Sequence, residues 1–154
     1  MNIFQLLITK SEAMYLEDHI SISDAIKQLH TSGYTAVPVI HQDGTYAGTV
    51  SEGDFLWVFL NEKDEDPQKK SRPLSAIIKA DRNPAVKIDV PLEQIFSEAL
   101  NQNFVPVVDD RNMFIGIVTR KQVIRFLMKH IRELLPTDLT RKSTEGLPHK
   151  SPEG

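Results

Sequence analysis

The sequence predicts a mixed α+β fold made of two tandem β-α-β-β-α units, because one strand–turn–strand–helix pattern occurs twice. Residues 46–55 form a short apolar stretch that ends at a hydroxyl residue and leads directly into a predicted helix. Residues 114–123 repeat this pattern 68 positions later. The same offset carries the Val-Pro-Val segment at 37–39 onto that at 105–107. An offset that holds over a strand, a turn and a second strand indicates an internal duplication.

The first unit is expected over residues 8–62, with a helical turn or two at residues 3–8. Its predicted elements, in chain order, are a strand at 19–22, a helix capped by Ser23, strands at 35–40 and 46–50, and a helix at 52–60. Gly33 stands where a left-handed C-cap ends the first helix. Residues 41–44 end in Asp-Gly, which is typical of a hairpin turn. Pro38 lacks a backbone donor, which suits an edge strand or a position beside a site.

The second unit is expected over residues 74–135, after a polar linker at 63–73 and before a disordered C-terminal tail at 136–154. Its predicted elements are a lead-in helix at 74–79, strands at 86–88, 105–108 and 114–118, a turn at 109–112, and helices at 91–101 and 121–135. The linker carries an acidic block and then a basic one, a pattern that suits a plain solvated segment better than a docking surface.

The last helix of each unit carries more apolar residues than half a core requires. Ile124, Leu127, Met128, Ile131 and Leu135 share one face of the closing helix. We expect outward-facing apolar residues, among them Trp57, Phe59 and Phe126, to be covered by a partner. The sequence therefore predicts a homodimer formed through these two helices.

Composition excludes several classes of function. The 154 residues are 40% apolar, and the net charge of −3 does not favour DNA or RNA as a partner. The chain has no cysteine, and its apolar stretches are too short to span a bilayer. The N-terminus lacks the pattern of a secretory signal, so we expect a cytoplasmic protein without membrane partners.

A hydroxyl residue begins the last helix of each unit: Ser51 in the first and Thr119 in the second. Both fit a simple helix cap, which only satisfies backbone amides. A helix N-terminus with a hydroxyl is also suited to phosphate or sugar oxygens. Arg120 and Lys121 lie in the first turn of the closing helix, where the helix dipole disfavours cations, so an external anion would explain them.

No catalytic or metal-binding constellation is indicated. The five histidines lack metal-ligand spacing. Ser51 followed by Gly53 is weakly similar to a nucleophile elbow, but Thr49 occupies the position of the first glycine. We therefore expect no enzymatic activity, no metal and no cofactor.

The doubled Val-Pro-Val strand and the helix entry Gly-Thr/Ile-Val-Ser/Thr resemble a tandem pair of CBS domains, or Bateman module. This resemblance implies two repeats packed by pseudo-twofold symmetry, with an adenine nucleotide as regulatory ligand between them, and dimerisation. In that family the hydroxyl and the acid three residues later hold phosphate and ribose. Ser51 and Asp54 keep both groups, whereas Gln122 replaces the acid after Thr119. The ligand-binding residues that the resemblance implies are Met14, Tyr15, Tyr34, Thr35, Ala36, Pro38, Ser51, Asp54, Phe104, Val105, Pro106, Thr119, Arg120, Lys121 and Gln122.

Segments 10–15, 33–39 and 116–121 further resemble small stand-alone bacterial CBS-pair proteins, some of which bind cyclic di-AMP. Met14 is larger than the residue common at its position. Three hypotheses follow. The chain is a module that senses AMP, ADP, ATP or cyclic di-AMP and signals to an effector protein, a ligand-free structural or interaction module, or an unrecognised hydrolase. The first is preferred.

Overall fold

The computed structural model describes residues 2–61 and 67–134 of the chain. Two β-α-β-β-α units follow one another, as predicted. The first contains β2 (Leu16–Glu17), α1 (Ile22–Ser32), β3 (Ala36–Ile40), β4 (Tyr46–Ser51) and α2 (Glu52–Leu60). The second contains β5 (Val86–Lys87), α3 (Leu92–Asn101), β6 (Phe104–Val108), β7 (Phe114–Thr119) and α4 (Arg120–Leu134). A short strand, β1 (Ile8–Thr9), precedes both units.

Each unit uses the same strand pairing. In the first, β2 runs parallel to β3, and β3 forms an antiparallel hairpin with β4. In the second, β5, β6 and β7 pair in the same way. Leu16 lies opposite Val39 just as Val86 lies opposite Val107. The first unit is two residues longer between its first two strands, so the repeat offset changes within the unit.

The segment that precedes each unit packs against the other unit. β1 extends the second sheet by pairing with β7, and Ile3 and Leu6 lie in the core formed by the second unit. In turn, Leu74 is fully buried in the core of the first unit, and Lys79 bridges to Thr49 of β4. The two units therefore exchange their lead-in segments.

Two glycines show where local backbone geometry decides the sequence. Gly33 ends α1 with φ 76°, a left-handed conformation, which confirms the predicted C-cap. Gly116 lies opposite Thr9 where β1 pairs with β7, and a Cβ built on it would approach the Ile8 carbonyl oxygen to 2.2 Å. A side chain at position 116 would thus block the exchange of lead-in segments.

Three predictions near the N-terminus and in the lead-ins were wrong. The first strand of unit one is Leu16–Glu17 rather than 19–22, and Ser21 instead of Ser23 caps α1 by accepting the Asp24 amide at 3.0 Å. The polar–apolar alternation at 19–22 belongs to a turn in which Ile22 enters the core at the start of the helix. The predicted lead-in helix at 74–79 is only a single 3₁₀ turn, Leu74–Ala76. The helical turn predicted at residues 3–8 is present as the 3₁₀ turn Ile3–Gln5.

The described part of the predicted linker, residues 67–73, contains a further 3₁₀ turn, Lys69–Ser71. Its end is attached to the first unit, since the Arg72 carbonyl accepts the Ile22 amide at 2.9 Å. Residues 63–66 and the predicted tail at 136–154 lie outside the described residues. So does Leu135, the predicted end of the second unit.

The apolar faces of α2 and α4 are partly as predicted. Trp57 and Met128 are each 71% exposed, and Ile124 and Ile131 are each half exposed. Phe126 was wrongly expected on the outer face: it is buried in the second core beside Val123, with its ring 6.0 Å from that of Phe96. Among the described residues, no helix is long and apolar enough to cross a membrane.

Candidate functional site: two unequal clefts between the repeats

A cavity of about 220 Å³ lies between the two units at Thr119, and we call it the open cleft. Seven of the residues predicted as ligand-binding line it: Met14, Tyr34, Thr35, Ala36, Pro38, Phe104 and Thr119. Most of the lining surface is apolar and comes from the first unit, while Thr119 comes from the second. The parallel partner β2 pairs only with the Val39–Ile40 end of β3, so the edge of β3 beside Pro38 is left free of β2. Pro38 therefore lies at an edge of β3 that β2 does not cover, which agrees with the edge-strand interpretation, and it also lines the cavity.

Thr119 ends β7 and begins α4 at the mouth of this cavity. Its hydroxyl accepts the Gln122 amide at 3.1 Å, so the helix-cap interpretation is confirmed. A hydroxyl that accepts one hydrogen bond still has a proton to donate, and the remaining first-turn amides of α4 are close by. The cap and a binding role are therefore compatible.

Arg120 does not need an external anion to explain its position. Its Nε donates to the Ala99 carbonyl at 2.7 Å, and its Nη2 approaches the Leu100 carbonyl at 3.4 Å. These carbonyls lie in the last turn of α3, where cations are favoured. Lys121 is exposed, and neither cation is among the residues that line the cavity. Their contact with phosphate stays a prediction.

Three other predicted residues lie elsewhere. Val105 and Pro106 are fully buried in β6. The Tyr15 ring packs edge-on against Phe114, with ring centroids 5.9 Å apart, and Lys10 Nζ lies 5.5 Å from its centroid. These contacts place Tyr15 in the packing between the units.

Sequence reasoning missed six residues of the open cleft: Ile8, Glu12, Ala13, Val37, Asn103 and Ile117. Glu12 and Ala13 fall in the segment 10–15 that carried the family resemblance, which was the available signal. Ile8 and Ile117 reach the cavity because β1 pairs with β7, a long-range contact that no local pattern shows.

The equivalent place beside Ser51 is filled by protein side chains, and we call it the closed cleft. Ser51 and Asp54 form a reciprocal capping box, in which the Ser51 amide donates to Asp54 Oδ2 at 2.8 Å and the Asp54 amide donates to Ser51 Oγ at 3.4 Å. Arg82 then binds the same pair. Its Nη1 contacts Asp54 Oδ2 at 2.5 Å and Ser51 Oγ at 3.0 Å, and its Nη2 contacts Asp54 Oδ1 at 2.7 Å.

Burial and the Arg82 guanidinium have opposite effects on the pKa of Asp54. Burial alone would raise the pKa of Asp54, but the hydrogen bonds and charge of Arg82, with the Ser51 amide, outweigh it and hold the pKa below 3.8. The hydrogen bond to Asp54 likewise raises the pKa of Arg82. At neutral pH the pair is therefore fully ionised.

A buried polar network supports the segment that carries Arg82. Asn83 Nδ2 donates to Gln102 Oε1 at 3.1 Å and to the Phe104 carbonyl at 3.2 Å. The Tyr46 hydroxyl lies 2.6 Å from the Asn83 carbonyl, to which it donates. Burial raises the pKa of Tyr46 to about 12, although a contact with Thr49 lowers it in part. The phenol is thus a permanent donor.

A separate groove of about 280 Å³ reaches Asp54 from the side of α2. It is lined by Trp57 and Val58 of the helix and by Ala76 and Ile77 of the second lead-in, but not by Ser51. Within residues 2–61 and 67–134, no cluster of histidine and acidic side chains could hold a metal ion.

These features define a tandem-repeat module with a cleft on either side of a pseudo-twofold axis, one open and one closed. A sequence profile of the CBS domain matches residues 7–61 and 75–129. The chain therefore belongs to the CBS domain family and carries two CBS domains in tandem.

Three comparisons describe its relatives. Cyclic di-AMP receptor B of Bacillus subtilis (strain 168) is 28% identical over 131 residues, which cover 84% of this chain and 88% of that protein. The crystal structure of CbpB in complex with c-di-AMP has a TM-score of 0.79 at 22% identity, covering 87% of this chain and 89% of that one. CBSX2 in complex with AMP has a TM-score of 0.71 at 25% identity, covering 85% and 98%.

Proposed function

We propose that this chain is a regulatory module that binds an adenine nucleotide or cyclic di-AMP in the open cleft and transmits the bound state to an effector protein in the cytoplasm. The observation that carries this proposal is the open cleft itself. It joins an apolar pocket from the first unit to the hydroxyl and helix N-terminus of the second. A purine has apolar faces, which suit the pocket from the first unit. A phosphate needs hydrogen-bond donors, which the hydroxyl and the helix N-terminus of the second unit provide.

The size of the cavity fits partial burial of the ligand. Its volume of about 220 Å³ lies below the roughly 300–1,000 Å³ of pockets that enclose a whole small molecule. The base fits between Met14, Ala36 and Pro38, while the phosphates extend past Thr119 towards solvent. Exposed Lys121, the second residue of α4, adds positive charge at the N-terminus of the helix and attracts phosphate at long range.

The relatives support the choice of ligand class. The B. subtilis relative is named as a cyclic di-AMP receptor, and two proteins of the same fold are described in complex with c-di-AMP or AMP. Gln122 supplies no carboxylate for a free ribose diol. AMP, ADP and ATP share that diol, whereas the 3′-oxygens of cyclic di-AMP are esterified to phosphate, and ADP and ATP offer more negative charge than AMP to exposed Lys121. We therefore propose that cyclic di-AMP, ADP or ATP binds more tightly than AMP.

Titration calorimetry against AMP, ADP, ATP and cyclic di-AMP tests this function. Ala36→Phe fills the cavity and should lower affinity by roughly tenfold or more, about 1.4 kcal/mol. Ala76→Phe places the same side chain in the groove beside α2 and should leave affinity unchanged. Absence of heat with all four ligands, or equal affinity in both variants, would reject the open cleft as the site.

A ligand-independent interaction module is the second candidate, and the exposed apolar helices favour it. Trp57 and Leu60 on α2 and Met128 on α4 are each more than half exposed. Such patches are usually covered by another protein. We propose that they form a homodimer, which is compatible with the sensing function. If all four ligands fail while the dimer persists, the interaction module is the correct function.

A further inference from the structure

The two clefts occupy equivalent places in the repeat, yet their side chains differ in a consistent way. Leu16 and Val86 hold the same position in their sheets, so Glu12 and Arg82, four residues earlier in each lead-in, are equivalents. At the helix N-termini, Asp54 is equivalent to Gln122. The closed cleft therefore pairs a cation with an acid, whereas the open cleft has an acid and a neutral amide.

The Arg82 guanidinium occupies the groups that a ribose or phosphate would need. It binds both carboxylate oxygens of Asp54 and the hydroxyl of Ser51. A bidentate arginine–carboxylate pair is geometrically selective and strong. A ligand entering this cleft would have to break that pair and leave the Asp54 carboxylate buried without its cation.

The residues equivalent to two small apolar residues of the open cleft are larger in the second unit. Ala13 and Ala36 line the open cleft, and their equivalents in the second unit are Asn83 and Phe104. Both of these larger residues are buried, at 8% and 7% exposure, and Asn83 is tied to Gln102. Asn83, and Phe104, which also lines the open cleft, thus put larger side chains where the first unit has alanines.

We propose that Arg82 makes this chain a single-site receptor: the guanidinium acts as an internal substitute for ligand at Ser51 and Asp54, and nucleotide binds at the open cleft alone. The proposal rests on the proposed function for its ligand but concerns stoichiometry and a residue outside the open cleft. Arg82 thereby determines which of two homologous clefts can be used.

The competing role for the same residue is a phosphate clamp. In that case Arg82 would leave Asp54 and bind the phosphate of a ligand in the closed cleft. Two observations favour the role of internal substitute. Hydrogen bonds to Asn83 hold the segment that carries Arg82 in place, and the two contacts between Arg82 and Asp54 already neutralise both charges. The two roles predict different effects of removing the cation: unchanged affinity for a substitute, and lost affinity for a clamp.

The first experiment locates and counts the ligand. Cyclic di-AMP and ATP are titrated into ¹⁵N-labelled full chain, with calorimetry in parallel. We expect one site per chain and shifts of the Thr119 and Gln122 amides, with the Ser51 and Asp54 amides unmoved. Two sites, or shifts at Ser51, would overturn the proposal while leaving the proposed function intact. No binding of either probe would instead reject the proposed function.

The second experiment removes the cation. Arg82→Met should leave affinity at the open cleft unchanged, because the guanidinium takes no part there. A loss of roughly tenfold or more, about 1.4 kcal/mol, would identify the phosphate clamp and overturn the proposal. Arg111→Met, at an exposed arginine in the β6–β7 turn, is the matched control.

The third experiment transplants the substitute into the open cleft. Glu12→Arg and Gln122→Asp, made together, should recreate in the open cleft an ion pair equivalent to that of Arg82 and Asp54. The double variant should bind nucleotide roughly tenfold or more weakly than the product of the two single effects predicts. Coupling in the melting temperature without ligand reports the new ion pair even where nucleotide binding fails. Additive effects on both affinity and melting temperature would show that a cation and an acid at these positions do not close a cleft.

Discussion

Removing the Arg82 guanidinium should destabilise the fold by about 2 kcal/mol at neutral pH. The Asp54 side chain is 5% exposed and that of Arg82 is 36% exposed. Breaking a fully buried pair costs about 3–5 kcal/mol and breaking a surface pair about 0–1 kcal/mol, so a partly exposed cation on a buried acid falls between these values. Arg82→Met keeps the length of the side chain, so the loss reports mainly the three hydrogen bonds and the charge.

The loss of unfolding free energy in Arg82→Met should be largest at neutral pH and become smaller in acid. In the native protein the pKa of Asp54 lies below 3.8, so the pair stabilises the fold above that pH and loses its contribution as pH falls through the folded-state pKa. In Arg82→Met, burial is no longer opposed by the cation and raises the pKa. The variant should therefore be weakest relative to the parent at pH 7 and approach it as Asp54 becomes protonated.

Urea unfolding of parent, Arg82→Met, Asp54→Asn and the double variant at pH 7 and at the lowest pH where the parent folds measures this effect. A coupling energy of about 2 kcal/mol is expected at pH 7, shrinking in acid. A coupling near zero at pH 7, or one independent of pH, would refute the assignment of Arg82 as the partner that holds Asp54 ionised.

Five further substitutions test other parts of the structure. Gly116→Ala places a Cβ 2.2 Å from the Ile8 carbonyl oxygen and should lower unfolding free energy by about 2 kcal/mol. Gly53→Ala in α2, where the nearest atom is at 3.7 Å, should raise it by about 0.5 kcal/mol in the same melts. Trp57→Glu should convert a dimer to a monomer by light scattering, and an unchanged dimer would place the interface elsewhere. Arg120→Ala should lower the melting temperature, because α3 loses its cap, whereas Lys121→Ala should weaken cyclic di-AMP binding at low salt alone.

The parts of the fold that local patterns determine were predictable. The Asp-Gly turn after β3, the left-handed Gly33 and the helix that begins at Glu52 all depend on residues close together in sequence. The position of β2 was not predicted, because a strand of two residues is too short to show an alternating pattern. The burial of Phe126 could not be read from α4, since that helix is apolar on more than one side and tertiary packing selects which side turns inward.

Part of the candidate site was predictable from the sequence, and the part that depends on long-range contacts was not. The repeat located Thr119, and the family resemblance supplied Ala36 and Pro38 of β3, but not Val37. Arg82 was missed because its contact with Asp54 spans 28 residues. The offset also changes between the lead-ins and the hairpins, which hid the equivalence of Arg82 and Glu12. Nothing local to Asp54 shows that its carboxylate is already occupied.

Because the lead-in segments are exchanged, the chain cannot be divided between the two units without separating each unit from a segment that packs on it. A cut between α2 and the second lead-in would leave β7 with a bare edge where β1 had paired, and would expose the place that Leu74 fills in the other core. An unpaired edge recruits a strand from another molecule. Separately produced halves are therefore expected to recombine with one another, or to trade segments between copies, before either behaves as an independent domain.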